Sequence, residues 1–594
     1  MENPPEAETT NKVVDREKWV YDSSVDHKGR VPLRASTGTW KAAIFVIVME
    51  FSERLSFFGI STNLIIYLTQ ELYQDLGTAA KNVNYWKGVT TIMPLIGGFL
   101  ADAYLGRFPT VVLSTIIYLA GLSLMTASRF APRLKPCESN VCDKASNIHQ
   151  VVFFVALYLI SVGTGGHKPS LGSFGPDQFD EEHPKERVKK MSFFNWWSFA
   201  ISGGLLLGVT LIVYVEDFLN WGLAFAILTS VMAVCLVIFL LGIPFYRYLR
   251  PKGSPLTPMA RVLFAAVAKQ NLVLPPTPAL LYNPPINEEG SCSSSRRLCH
   301  SNSWRFLDKA AIICIEQNPS GDAEAQLIAT TTENLLLHNK KRWRLATVTE
   351  VEETKLVLNM IPMWLVSLMF CVNDAQGTTF FVKQGNVMNR KLTHNFTVPA
   401  ASMYSINAVV MIATIVFYDR TVAPFFRRLK GDDRGISILQ RNGIGMAFST
   451  LVMLTAALVE RKRLDTLANG SVVSVFWLAP QFALLGVADA FTLVGLQEFF
   501  YDQAPDSMRS LGSALYHSVV GVANFVSSLL LIIVDRVTSK DGHGGWIGSD
   551  LNVSRLDNFY WLLVVMSGLN LCIYVVVTRR YQYKNVERST TVVN

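Results

Sequence analysis

The chain has 594 residues, half of them hydrophobic and only 17% charged, whereas a soluble domain carries roughly a quarter charged residues, so an ordinary soluble protein is excluded and lipid is the solvent to expect. Its net charge of +8 calls for no nucleic-acid partner, because in a membrane protein the placement of Lys and Arg sets orientation. The eight cysteines are scattered without zinc-site spacing and no nucleophile motif accompanies them, so neither a metal nor an enzymatic activity is expected.

The first 35 residues are polar and charged rather than signal-like, and residues 1–39 are expected as a cytosolic tail. Apolar runs follow at 40–68, 83–104, 108–128, 150–174, 193–215 and 222–246, then at 355–380, 398–418, 436–459, 472–500, 510–535 and 558–578. Each is long enough to cross a hydrocarbon core about 30 Å thick. The predicted fold class is an all-α membrane protein with twelve transmembrane helices in two six-helix bundles, 40–246 and 355–578, and both termini on one side. Between the bundles, 247–354 reads as a cytosolic linker, and 579–594 as a cytosolic tail. Within the linker the Pro- and Ser-rich stretch 275–303 reads as flexible. Pro258 to Leu272 carries apolar residues at helical spacing with Arg261 and Lys269 opposite, which suits an amphipathic helix on the cytosolic face.

Orientation has two signals. Lys185, Arg187, Lys189, Lys190, Arg427, Arg428, Lys430, Arg579, Arg580 and the linker's basic residues share one side, which the basic-loop rule makes cytosolic. Arg461-Lys462-Arg463 breaks the rule. The sequons at Asn395, Asn469 and Asn552 all fall in loops on the opposite side, where glycosylation is expected. Cys137 and Cys142 flank a short polar loop on that same side and read either as a disulfide or as two free thiols.

An ionisable residue inside a crossing costs about 2.5–3.5 kcal/mol on insertion scales, so each calls for a partner or a function. In the first crossing Glu50, Glu53 and Arg54 project from one helical face. Two carboxylates beside one cation titrate as a set, which is the property of a proton carrier; a plain salt bridge would account for one acid and leave the other over. In the fourth crossing Gly163-Thr-Gly-Gly-His167-Lys168-Pro169 places a lysine at a glycine-loosened, proline-broken point, and Lys168 is a natural partner for either acid. His167 reads as a second titrating group or as a packing residue. Asp374 in the seventh crossing and Asp489 and Glu498 in the tenth need partners from other helices, with Lys383 the nearest base in those two segments. Asp489 and Glu498 lie on opposite faces of an unbroken helix, so both would line one cavity only if Gly486 or Gly495 bends it; Glu498 is the choice for the site.

The residues resemble the plant nitrate and peptide transporter family, a branch of the proton-coupled oligopeptide transporters with the major facilitator fold. The resemblance rests on Glu50-Phe-Ser-Glu53-Arg54; Gly98-Phe-Leu-Ala-Asp102-Ala-Tyr-Leu-Gly106-Arg107; Gly165-Gly166-His167-Lys168-Pro169 with Phe174-Gly-Pro-Asp177-Gln178-Phe179; Phe193-Phe-Asn195-Trp196-Trp197; and Glu498-Phe-Phe-Tyr-Asp502-Gln-Ala-Pro505-Asp-Ser-Met-Arg509. It implies that Glu50, Glu53 and Arg54 couple protons, that Lys168 pairs with them, and that Glu498 gates or binds in the second half. It also implies that Asp102, Gly106 and Arg107 form a cytosolic loop that locks the outward-facing state. Protons are then the coupling ion, with no cofactor.

The expected solute pocket departs from the family at Phe57 and Phe58, where peptide-carrying relatives show tyrosines, at Ser202 where many have Asn, and at Asp374 before Ala375-Gln376, where a nitrate carrier would want His. The function expected is proton-coupled symport of a small solute, nitrate first, by alternating access in the plasma or the vacuolar membrane. Di- and tripeptides, a plant hormone or a specialised metabolite are the alternatives, and a non-transporting membrane sensor or scaffold is the rival of another class. Arg107-Phe-Pro-Thr110 reads either as a phosphorylation site for a cytosolic kinase or as an ordinary helix start.

Overall fold

The computed structural model describes residues 18–22, 24–131, 146–180, 183–249, 256–274, 281–282, 300–312, 345–393, 396–430, 436–505, 509–538, 545–548, 550–581 and 583. The first six crossings are α1 Thr39–Gln70, α2 Leu76–Leu105, α3 Arg107–Phe130, α4 Asn147–Gln178, α5 Pro184–Phe218 and α6 Trp221–Leu241. After α7 in the linker, Leu256–Ala268, come α8 Val348–Asn386, α9 Ala401–Leu429, α10 Ile438–Ala468, α11 Val475–Gln503, α12 Gly512–Thr538 and α13 Leu556–Arg580. Eleven of these are long and apolar enough to cross a membrane by length and composition. The twelfth crossing, α1, is 32 residues long, its apolarity diluted by Glu50, Glu53 and Arg54 within it and Lys41 at its start. The protein is a multi-pass integral membrane protein.

The chain forms two compact units, one of Met1–Gly253, Val366–Leu496 and Tyr516–Val575, the other of Ser254–Leu365, Gln497–Leu515 and Val576–Asn594. In the first, α4 packs on α2 and α3 through glycines. A Cβ at Gly97 would strike the carbonyl oxygen of Gly165, and Cβ atoms at Gly163 and Gly166 would come within 2.7 Å of Tyr118 and 2.9 Å of Ser114. Small residues allow such backbone approach where no hydrophobic force draws helices together. This corrects the expectation of a loosened break: the helix runs without interruption from Asn147 to Phe174 with Pro169 inside it, and its glycines close the packing. Gly106, with φ of 84°, makes the left-handed turn from α2 into α3 that a side chain would disfavour.

Residues 18–38 are tied to the same unit. Arg34 pairs with Asp180 at 2.8 Å and Glu186 at 2.6 Å, and the fully buried Arg247 reaches Glu186 at 2.8 Å. At the end away from the termini the two six-helix halves touch. Arg390 faces Asp217 at 3.7 Å, Lys383 donates to Thr69 at 2.9 Å, Ser402 donates to the Val209 carbonyl at 2.8 Å, and Phe396 stacks on Tyr214.

Two cations of the run that breaks the basic-loop rule have local partners. α10 continues through Arg461-Lys462-Arg463; Arg463, buried, makes two contacts with buried Glu460 at 2.7 and 2.8 Å, and Lys462 stands 3.3 Å above the Trp477 ring. Neither cation is a free loop charge.

The second unit gives the linker a core of its own, with Val262, Ala265 and Ala266 of α7 against Leu307, Ala310 and Val351. Thr347 and Glu350 cap the start of α8 reciprocally. Arg261 and Lys269, expected to face away from the apolar side, bind within the unit: Arg261 to Glu350 at 3.1 Å, Lys269 to the carbonyls of Ala310 at 3.1 Å and Ile312 at 2.6 Å. Among the described residues His300, Asp308 and Glu352 are the one trio close enough to hold a metal ion. There the ammonium of Lys355 already supplies the positive charge, 2.7 Å from Asp308 and 2.8 Å from Glu352.

Candidate functional site

The helical spacing of Glu50, Glu53 and Arg54 becomes a fork in the structure. Arg54 Nε lies 3.0 Å from Glu50 Oε1, and its Nη2 contacts Glu53 Oε2. One guanidinium holds both acids, so the view that a salt bridge strands one of them is corrected. All three are almost wholly buried, because α5 approaches through Gly204, where a Cβ would stand 2.7 Å from Arg54 Cβ. Glu50 Oε2 and Glu53 Oε1 have no hydrogen-bond partner. His167, 1% exposed, is near enough to feel Glu53 and Arg54, yet both its ring nitrogens lack hydrogen-bond partners. Lys168 is half-buried and within electrostatic reach of Glu50 and Glu53 without direct contact. Two negative charges and two positive ones therefore balance across α1 and α4, with three carboxylate oxygens, Glu50 Oε2 and both of Glu53, left without hydrogen bonds.

The second group of buried charges spans both halves, and its cation was missed. Lys87 of α2 donates to Thr378 Oγ1 of α8 and lies in the field of Asp374 and Asp489. Asp374 ends a helical stretch and is followed by a tighter turn, Ala375–Thr378; that turn carries the threonine which Lys87 meets. Asp489, 2% exposed, accepts from Asn407 Nδ2 at 3.0 Å through Oδ2, while its Oδ1 has no hydrogen-bond partner. Lys87 and Asp374 are both half-buried. Tyr404 of α9, Tyr516 of α12 and Cys371 of α8 surround the two acids. The rule that singled out Lys168 would have found Lys87, which stands inside the second apolar run.

The other expected site residues divide. Phe57 and Phe58 are half-buried, their rings in edge contact at 5.2 Å; Phe57 also stacks on Trp86 at 5.8 Å and carries the Arg54 guanidinium 5.9 Å from its centre. Ser202 is half-buried on α5. Gln376 is fully buried, its amide donating to the Val372 carbonyl at 2.8 Å and to Ser527 at 3.2 Å. The helix from Ala479 to Gln503 is continuous. Gly486 and Gly495 are filled by Asn407 and Asn442, so Asp489 is buried and Glu498 exposed.

Arg107 contacts Asp177 and lies 3.4 Å from Asp102, which joins two of the sequence motifs within the first half. Thr110 is buried, with Oγ1 donating to the Gly106 carbonyl at 2.8 Å, so a kinase would reach it only after the helix start opened. Asn469 ends α10 and is exposed; Asn552 is exposed, with its Oδ1 accepting from Arg463 at 2.8 Å. Asn395, Cys137 and Cys142 lie outside the described residues.

A twelve-helix fold with ionisable groups paired in its interior defines a membrane transporter. Residues 108–547 match the POT family, and the chain belongs to that family. It is 53% identical over 575 residues to Protein NRT1/ PTR FAMILY 5.6 of Arabidopsis thaliana, covering 97% of this chain and 96% of that one. It is 52% identical to Protein NRT1/ PTR FAMILY 5.7 of the same plant, over 100% of this chain and 96% of the relative. Among solved structures, that of an auto-inhibited POT family peptide transporter superposes with a TM-score of 0.67 at 21% identity, over 92% of this chain and 98% of the other. The POT family transporter PepTSo gives 0.66 at 19% identity, over 91% and 98%.

Proposed function

We propose that this transporter carries a small anionic solute, nitrate first, together with protons, in alternating access between its two six-helix halves. The observation that carries the proposal is the fork of Arg54 between Glu50 and Glu53 with Lys168 within electrostatic reach of both acids. Protonating either acid frees part of the guanidinium and lets Lys168 take up the remaining carboxylate, so each protonation state favours a different pairing, and coupling needs states that bind differently. Lys87 of α2 offsets one of the two acids Asp374 and Asp489, so an anion is accommodated there when the other is protonated. The phenylalanines at 57 and 58 favour this solute over a dipeptide, since they offer no hydroxyl to a peptide backbone.

The test is uptake of isotopically labelled nitrate into proteoliposomes with an inward proton gradient. Accumulation that collapses with the gradient, and that Glu50→Gln and Glu53→Gln each abolish, is the expected result. A dipeptide accumulating in place of nitrate would change the solute and keep the coupling. Solute binding without net flux would point to a sensor instead.

A further inference from the structure

At the end away from the termini, a cavity of about 310 Å³ is lined by Glu71, Arg129, Glu216, Asp217 and Arg390 among others. At roughly 30 Å³ per water it has room for a solute the size of an amino acid. Arg129 is held by Glu71 at 2.6 Å, and Arg390 faces Asp217 at 3.7 Å. That leaves Glu216. Its Oε2 accepts from Asn63 Nδ2 at 2.9 Å, and the same amide serves Asp217 Oδ1 at 2.9 Å. Its Oε1 is buried with no hydrogen-bond partner, in a side chain 2% exposed. Counted as ionised, three acids against two arginines leave the lining one positive charge short, and the oxygen that needs a donor is on Glu216.

From this we propose that the cavity is a binding site for a primary ammonium group, separate from the Glu50 and Lys87 groups, with the Glu216 carboxylate as acceptor. An ammonium brings N–H donors and one charge in a small volume. A metal ion fits less well. The Glu71, Glu216 and Asp217 oxygens do not converge within the reach of one ion, since the one such trio among the described residues lies elsewhere, and two arginines face the space. Asp217 is set back by its contact with Arg390, so Glu216 is the residue that decides binding.

The experiment is the affinity of the full-length protein, purified in detergent, for ethylammonium, with tetramethylammonium and sodium at matched ionic strength as comparison cations. Ethylammonium should bind and the other two should not, because neither donates an N–H bond. Glu216→Gln should weaken ethylammonium by about tenfold or more, the worth of a charge-assisted hydrogen bond. Equal binding of all three cations, or unchanged ethylammonium affinity in Glu216→Gln, overturns the proposal. If that variant does not fold, Arg390→Gln serves: removing the neighbouring positive charge should tighten ethylammonium several-fold, and no change or a weakening overturns the site. Repeating the titration in nanodiscs of phosphatidylcholine and of phosphatidylethanolamine separates two sources of the same chemistry. Loss of ethylammonium binding in the second lipid alone assigns the site to a lipid headgroup, and equal binding in both assigns it to a free amine.

Discussion

The two interior charge groups are built on opposite plans. Glu50, Glu53 and Arg54 sit within five residues of one helix, and their geometry follows from helical pitch. Lys87, Asp374 and Asp489 come from three helices in both halves, and their geometry exists only once the halves are together. A group of the first kind survives rigid movement of the halves, whereas one of the second kind is remade whenever they rock. On the proposed cycle the first would carry the proton and the second would sense which way the carrier faces.

The largest effect should come from the first group: Glu50→Gln or Glu53→Gln should remove gradient-driven accumulation entirely, read as labelled uptake with and without a proton ionophore. Full accumulation by both would break the division of roles. Next, Lys87→Met should leave two acids without their cation and destabilise the protein toward the low end of the roughly 3–5 kcal/mol typical of a broken buried pair. Adding Asp489→Asn should recover much of that; a double variant no more stable in thermal unfolding than the single would show that Lys87 and Asp489 do not act together. Asn407→Ala removes the hydrogen bond held by Asp489 and should cost about 1–3 kcal/mol, the penalty for a buried acceptor left alone. The smallest effect tests the fork itself. Arg54→Lys keeps the charge but loses the planar geometry that reaches two carboxylates, and uptake at saturating solute should fall several-fold while remaining gradient-driven.

Most of the fold was legible because crossing a bilayer demands long apolar helices, and α1 to α13 apart from α7 follow the apolar runs within a few residues at most ends. The exceptions are instructive. Runs starting at 83 and 193 mark helices that begin at Leu76 and Pro184, since amphipathic turns beyond the lipid carry no hydropathy signal. The Glu50 group was legible from spacing alone. Lys87 is hard to pair from sequence because its partners lie nearly 300 and just over 400 residues away, and which of Asp489 and Glu498 turns inward depends on helix rotation, which no spacing rule supplies and packing against Asn407 and Asn442 sets. The role of Gly163 to Gly166 was also hidden, because a glycine that loosens a helix and one that lets a neighbour close in look the same in sequence.

The ion pair of Glu460 with Arg463 matters after the chain has entered the membrane and not while it enters. Orientation follows the Lys and Arg at a helix end, and acids beside them count for little, so Arg463 opposes the placement of α10 whether or not Glu460 stands three residues before it. Once the helix has crossed, the two contacts from Glu460 balance a buried cation, and Glu460→Gln leaves that cation without its counter-charge. The variant should keep its topology, read as unchanged accessibility of the α10–α11 loop, and lose about 3–5 kcal/mol in thermal unfolding.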